Sequence, residues 1–232
     1  MRAGLRSARA RLNVQLEQAY ERALCDRFHK LYYDSDIWKR TQWLATPVQK
    51  LPLDLWLFQE LIVELRPDLL IETGTLKGGS ALFYATVMDA LVHGNIVTVD
   101  IESDQARPAH PRVEYITGSS TDPRIIDRVR ARAEGAETVM VILDSDHTKD
   151  HVLGELHAYA PLVTLGSVLI VEDTDINGHP VLPEYGPGPM EAVREFLAAT
   201  SDFMLDRDLE RRFLVTFHPR GYLRRTHQLA AN

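Results

Sequence analysis

The chain has 232 residues, 45% of them hydrophobic, and its 26 Lys and Arg against 33 Asp and Glu give a net charge of −7. This is enough chain for one large α/β domain, and the acidic balance argues against nucleic acid or an anionic membrane surface as main partner. A single cysteine, Cys25, excludes an intrachain disulfide and a cysteine metal cluster, and no apolar run reaches the ~18 residues of a membrane span. A soluble protein of the reducing cytoplasm is expected.

In chain order, residues 8–33 place Leu12, Leu16, Ala19, Ala23 and Leu24 at helical spacing, which predicts a packing or oligomerisation helix. A looser stretch with Trp38, Trp43 and two prolines follows. Helix resumes at "LDLWLFQELIVEL" and stops before Pro67. From there short apolar, β-branched runs at 68–73, 95–101, 113–118, 138–146 and 166–174 are separated mainly by helical patterns. Such alternation predicts an α/β fold with a parallel sheet covered on both faces. The tail, "FMLDRDLERRFLVTFHPRGYLRR", reads as two more strands with no helix between them, joining antiparallel at an edge. Residues 1–50 are expected to form an N-terminal helical extension and lid, and 51–232 the main domain.

In an open α/β sheet, ligands bind beyond the carboxyl ends of the strands. The first predicted strand ends in Glu72-Thr73-Gly74, the second in Asp100, and the third in Gly118-Ser119-Ser120. The fourth ends in Asp144-Ser145-Asp146-His147 and the fifth in Glu172-Asp173. Acids cap helices often enough that each alone means little; five successive strand ends carrying acids or small polar groups at one sheet edge describe a site. The turn "ETGTLKGGS" lacks both the dinucleotide fingerprint and the P-loop ending, and Glu72 would repel phosphate. Gly74 permits a tight turn and Gly78-Gly79 a close backbone approach; Thr75 lies in the same turn, Ser80 offers a hydroxyl, and Asp100 stands where an acid takes a ribose diol. An adenosine ligand with a cationic amino acid tail fits this edge: S-adenosylmethionine.

Asp144 or Asp146, with Glu172 and Asp173, supplies carboxylates from neighbouring strands. Oxygen donors without cysteine favour Mg²⁺, Mn²⁺ or Ca²⁺. His147 and Lys149 stand beside them as proton acceptors, and histidine needs the smaller pKa change to act near neutral pH.

The motifs "IETGTLKGGS", "VTVDI", "GSSTDPRIIDRV", "ILDSDHTKDHV", "VEDTDINGHP" and "GPGPMEAV" resemble, in order, the cephalosporin hydroxylase/rhamnosyl O-methyltransferase family. The resemblance implies a Rossmann-like methyltransferase fold: a seven-stranded, mostly parallel sheet with helices on both faces and an antiparallel last strand. It also implies a homo-oligomer and a metal bound by one strand-4 aspartate with Glu172 and Asp173. The 26-residue spacing from Asp146 to Glu172 favours Asp146, which leaves Asp144 facing the cofactor. A distant likeness to catechol O-methyltransferase matches Glu72, Ser80 and Ser120.

The expected reaction is Mg²⁺-assisted (or Mn²⁺-assisted) methyl transfer from S-adenosylmethionine to a sugar hydroxyl of a small-molecule or oligosaccharide acceptor, with His147 as base. Loops 38–52 and 177–190, including Tyr185, would form the acceptor pocket and lid. A β-lactam or other secondary metabolite is the alternative acceptor. An iron oxygenase built on His147, Asp150 and His151, a non-catalytic cofactor-binding partner and a metal-independent methyltransferase are weaker alternatives.

Overall fold

The computed structural model describes residues 2–227, with side chains from Gln15 onward. Its centre is a seven-stranded sheet: β1 (Leu69–Thr73), β2 (Asn95–Asp100), β3 (Val113–Thr117), β4 (Val139–Leu143), β5 (Val168–Val171), β6 (Phe203–Leu205) and β7 (Tyr222–Arg225). The order across the sheet is β3-β2-β1-β4-β5-β7-β6. Strands β1 to β5 pair in parallel, and β7 runs antiparallel between β5 and β6.

Helices are α1 (Arg2–Asp34), α2 (Pro52–Leu65), α3 (Gly79–Leu91), α4 (Pro123–Ala133), α5 (Lys149–Tyr159), α6 (Pro189–Ala199) and α7 (Arg207–Arg211). Strand residues alternate between two buried layers. Leu69, Ile71, Val139, Val141 and Leu143 meet Val129 of α4, Leu156 of α5 and Val193 of α6. Leu70, Met140, Ile142 and Ile170 meet Phe58 and Ile62 of α2 and Tyr84 and Met88 of α3. Burial on both faces explains why these strands read as unbroken apolar runs.

Helix α2 begins with Pro52, whose missing N–H costs nothing at a first turn, and ends at left-handed Arg66 before Pro67. Asp122 caps α4 by accepting from the Arg124 amide at 2.9 Å. Helix α1 is longer than the predicted 8–33; Leu12, part of that reading, lies outside the described side chains. The tail departs from expectation. A short helix, α7, stands between β6 and β7, started by Asp206 accepting from the Leu209 amide at 3.1 Å. Its Leu209 is buried in the α2/α3 layer, so one helical turn fills a gap that two bare strands would leave.

The N-terminal region returns to the sheet through a two-residue hairpin, Gln42–Trp43 with Thr46–Pro47, packed on α3 by Trp43 against Phe83 at 4.9 Å. Among the described residues no helix is long and apolar enough to cross a membrane.

Candidate active site

Strands β4 and β5 stop earlier than the sequence pattern indicates, at Leu143 and Val171. Asp144 to His147 and Glu172 to Thr174 therefore leave the sheet as loops. Asp173 takes a left-handed φ of 52°, a conformation rare outside glycine that turns the chain sharply as it leaves β5. A cavity of about 630 Å³ lies over these ends, between the β1–α3 turn and residues 47–50.

The turn after β1 has no room for side chains. A Cβ on Gly74, whose φ is +85°, would sit 1.7 Å from the Asp144 carbonyl oxygen, and one on Gly79 would sit 2.1 Å from that of Pro47. These glycines press the turn against the β4 loop on one side and the hairpin on the other. Beneath it Glu72 is fully buried; its Oε2 accepts from Thr98 Oγ1 at 2.6 Å, and Thr98 Oγ1 lies 2.6 Å from Thr75 Oγ1. Glu72 Oε1 has no partner. Burial raises the Glu72 pKa, against the opposing pull of the Lys50 charge and of the Ser80 and Thr98 hydroxyls.

Of the residues expected to hold cofactor, Gly74, Thr75, Ser80, Asp100, Ser119, Ser120 and Asp144 line the cavity, and Glu72 lies outside the lining. Asp100 Oδ2 accepts from the Leu76 amide at 2.7 Å and meets Arg107 Nη2 at 3.1 Å.

The acids expected to bind metal are placed differently from one another. Among the described residues, ligand atoms of Asp144, His147 and Asp173 lie within 4.8 Å of one another. Asp146 lines the cavity, but its Oδ1 accepts from the Thr148 amide at 2.7 Å and from the Thr148 hydroxyl at the start of α5. Glu172, 3% exposed, lies below, with Oε2 2.6 Å from Lys50 Nζ and Oε1 unpartnered. Lys149 points away, 2.6 Å from Glu195 Oε2.

Lys50 escaped the sequence reading, in which it was only a lid residue. Its ammonium is buried between Asp144 Oδ2 at 2.5 Å and Glu172 Oε2 at 2.6 Å. Thr41 holds its backbone, accepting from the Lys50 amide and donating to the Lys50 carbonyl, each at 3.2 Å. Burial alone would lower the Lys50 pKa; Asp144 and Glu172 outweigh that and raise it well above the ordinary lysine value. Burial would likewise raise Asp144, yet Lys50 and His147 bring it down to about 2.

Supporting groups complete the floor. Asp54 accepts from the Phe217 amide at 3.0 Å and the Tyr222 hydroxyl at 3.1 Å. His218 Nδ1 accepts from the Asp173 amide at 3.0 Å, which assigns the ring proton to Nε2, 3.4 Å from both Asp54 and Glu172. On the far wall His151 Nε2 lies 3.1 Å from both Ser120 Oγ and Ser145 Oγ.

His147 Nε2 is 3.4 Å from Asp144 Oδ1 and 3.2 Å from Asp173 Oδ2. Burial would lower its pKa, but the Asp144 hydrogen bond and the charges of Asp173, Asp144 and Asp146 push it up to about 9. Burial with Asp144 raises Asp173 to about 6, against the pull of His147. Two carboxylates and an imidazole at one cavity wall suit a divalent cation, which would relieve their repulsion. The bare backbone of the glycine turn and the polar groups of Thr75, Ser80 and Asp100 on the cavity lining suit an adenosine ligand.

A family model described as rhamnosyl O-methyltransferase/CmcI matches residues 35–226. Rhamnosyl O-methyltransferase of Mycobacterium tuberculosis (strain ATCC 25618 / H37Rv) is 38% identical over 207 residues, spanning 87% of this chain and 84% of that protein. Its counterpart from Mycobacterium leprae (strain TN) is 39% identical over 209 residues, spanning 87% and 90%. Among solved structures, CmcI with Mg and SAM superposes with a TM-score of 0.63 at 22% identity, covering 82% of this chain and 78% of that one. The O-methyltransferase TomG from Streptomyces achromogenes, with SAM, gives 0.53 at 20% identity, covering 76% and 80%. The structural likenesses establish the fold.

Proposed function

The chain belongs to the rhamnosyl O-methyltransferase/CmcI family, and from that premise we propose that it transfers the methyl group of S-adenosylmethionine to a sugar hydroxyl, with Mg²⁺ (or Mn²⁺) as metal. The acceptor is a rhamnosyl or related glycosyl group of a glycolipid, polysaccharide or glycosylated natural product. The carrying observation is that Asp144, His147 and Asp173 share one cavity with the glycine turn from Gly74 to Ser80.

In this reading Asp144 and Asp173 hold the metal. Glu72, anchored by Thr98 beneath the glycine turn, supplies negative charge behind the amino end of the cofactor; Asp100 takes the ribose, and Ser119 and Ser120 the base. When bound, the metal would polarise the acceptor hydroxyl and the cofactor would supply the methyl group. With the charges of Asp144 and Asp173 taken up by the metal they would hold, His147 would be neutral and its Nε2 able to take the acceptor proton. Lys50 keeps Glu172 and the second Asp144 oxygen paired, so these acids stay fixed as the acceptor enters. Trp38 and Pro47 to Lys50, which line the cavity, form the acceptor side. A single cysteine fits a reducing compartment, and we place the enzyme in the cytoplasm.

The test is label transfer from S-adenosylmethionine to rhamnosyl glycosides with Mg²⁺ and with chelator. Methylation that requires the metal supports the reading. Transfer at full rate in chelator removes the metal from it, and no transfer to any glycoside removes the acceptor class.

A further inference from the structure

The acid at the end of β2 does not stand alone. Asp100 closes that strand, and residues 101–112 form the loop that leads to β3. Its Oδ1 accepts from the Glu102 amide at 2.9 Å and its Oδ2 from the Leu76 amide at 2.7 Å. Arg107, within the loop, places Nη2 3.1 Å from the same Oδ2 and donates from Nε to the Leu76 carbonyl at 2.9 Å. Leu76, at a left-handed φ of 48°, thus gives its amide to Asp100 and its carbonyl to Arg107. The three residues close a ring that ties the turn after β1 to the end of β2.

Gly78 makes room for the ring. Its φ is +77°, and a Cβ there would sit 3.0 Å from the Tyr115 hydroxyl, 3.2 Å from Pro108 Cδ and 3.5 Å from Arg107 Cβ. Tyr115 of β3 holds the same segment, with its ring 5.9 Å from the Arg107 guanidinium carbon and its hydroxyl donating to the Pro108 carbonyl at 2.8 Å. The Arg107 side chain is only 5% exposed and stays outside the cavity lining, whereas Asp100 is part of it. Arg107 therefore acts through Asp100. A guanidinium offers a rigid fork where lysine offers one nitrogen on a flexible stem, so it can fix the plane of a carboxylate. A carboxylate held in place beforehand loses less freedom when a ligand arrives, and that raises affinity.

We propose that Arg107 is the positioning residue of the ribose site, holding the Asp100 carboxylate against the turn after β1 so that it meets the cofactor's ribose hydroxyls already ordered. This rests on Asp100 being the ribose acid, and adds to it the residue that fixes its orientation.

The test is calorimetric titration of the full chain with S-adenosylhomocysteine and with its 2′-deoxy and 3′-deoxy analogues, on wild type and on Arg107→Met. In wild type at least one deoxy analogue should bind about tenfold or more weakly than the parent, the weight of a hydrogen bond to a charged acceptor. Arg107→Met should weaken the parent ligand about tenfold but that analogue much less, so that the deoxy penalty largely disappears. Arg107→Lys keeps the charge without the fork and should recover only part of the affinity and of the penalty. It carries the same comparison if Arg107→Met does not fold. An equal loss for all three ligands, with the penalty intact, would make Arg107 a scaffold residue and overturn the positioning role while the ribose reading stands. Full recovery in Arg107→Lys would reduce the role to charge balance and overturn it too. Wild type indifferent to both hydroxyls would instead remove Asp100 from the ribose, and the proposal with it.

Discussion

Lys50 Nζ lies 2.6 Å from Glu172 Oε2, joining the N-terminal region to the end of β5 by a buried ion pair. The same ammonium reaches Asp144 at the end of β4. One cation from outside the sheet thus compensates two of the acids its strand ends bring together. Buried ion pairs add little net stability over apolar packing, but removing one partner is costly. Lys50→Met should therefore destabilise the metal-free protein by about 3 kcal/mol, read from urea unfolding. Added Mg²⁺ should recover more stability in the variant than in wild type, and equal stability without metal would contradict this role.

Gly74 leaves no space for a methyl group, and its φ of +85° disfavours any L side chain. Gly74→Ala should destabilise the protein by about 2 kcal/mol or more, as substitutions at strained backbone do, and weaken binding of S-adenosylmethionine by displacing the β4 loop. Thermal unfolding and calorimetry read the two effects separately.

Glu72→Gln keeps a group able to accept from Thr98 while removing the charge. A hydrogen bond to a charged partner contributes about 1.5–3 kcal/mol, so S-adenosylmethionine should bind roughly tenfold or more weakly in the variant. Unchanged affinity would place the cofactor's amino end elsewhere.

His147 gives a pH signature in the metal-free protein. Its folded pKa, about 9, lies above the ordinary 6.5. The protonated imidazole between Asp144 and Asp173 therefore contributes stability that is fully present below about pH 6.5 and lost as pH rises through about 9. His147→Gln should flatten stability across this window, and a nuclear magnetic resonance titration of the ring should show its midpoint well above 6.5.

Much of this was legible in the sequence because both faces of the sheet are buried, so its parallel strands stand out as apolar runs ending in polar residues. The edge from Glu72 to Asp173 followed from where those runs stop. Placement of individual acids did not, because a strand end does not reveal whether a carboxylate points into a cavity or down into the floor. Glu172 points down to Lys50 and His218, whereas its neighbour Asp173, turned by a left-handed backbone, points in. Lys50 was invisible for a related reason. It sits in a loop 22 residues before Glu72, and the packing of Pro47 on Gly79 together with the Thr41 hydrogen bonds brings it to the site. Helix α7 was missed because one polar turn with a single buried leucine carries no periodic signal.

The central claim, one cavity with separable cofactor and metal positions, is tested most directly by calorimetric titration of S-adenosylmethionine and of Mg²⁺ into wild type and Asp173→Asn. Wild type should bind both, and Asp173→Asn should keep the cofactor while losing most of its affinity for Mg²⁺. Absence of cofactor binding in wild type, or Mg²⁺ binding indifferent to Asp173→Asn, would contradict the account.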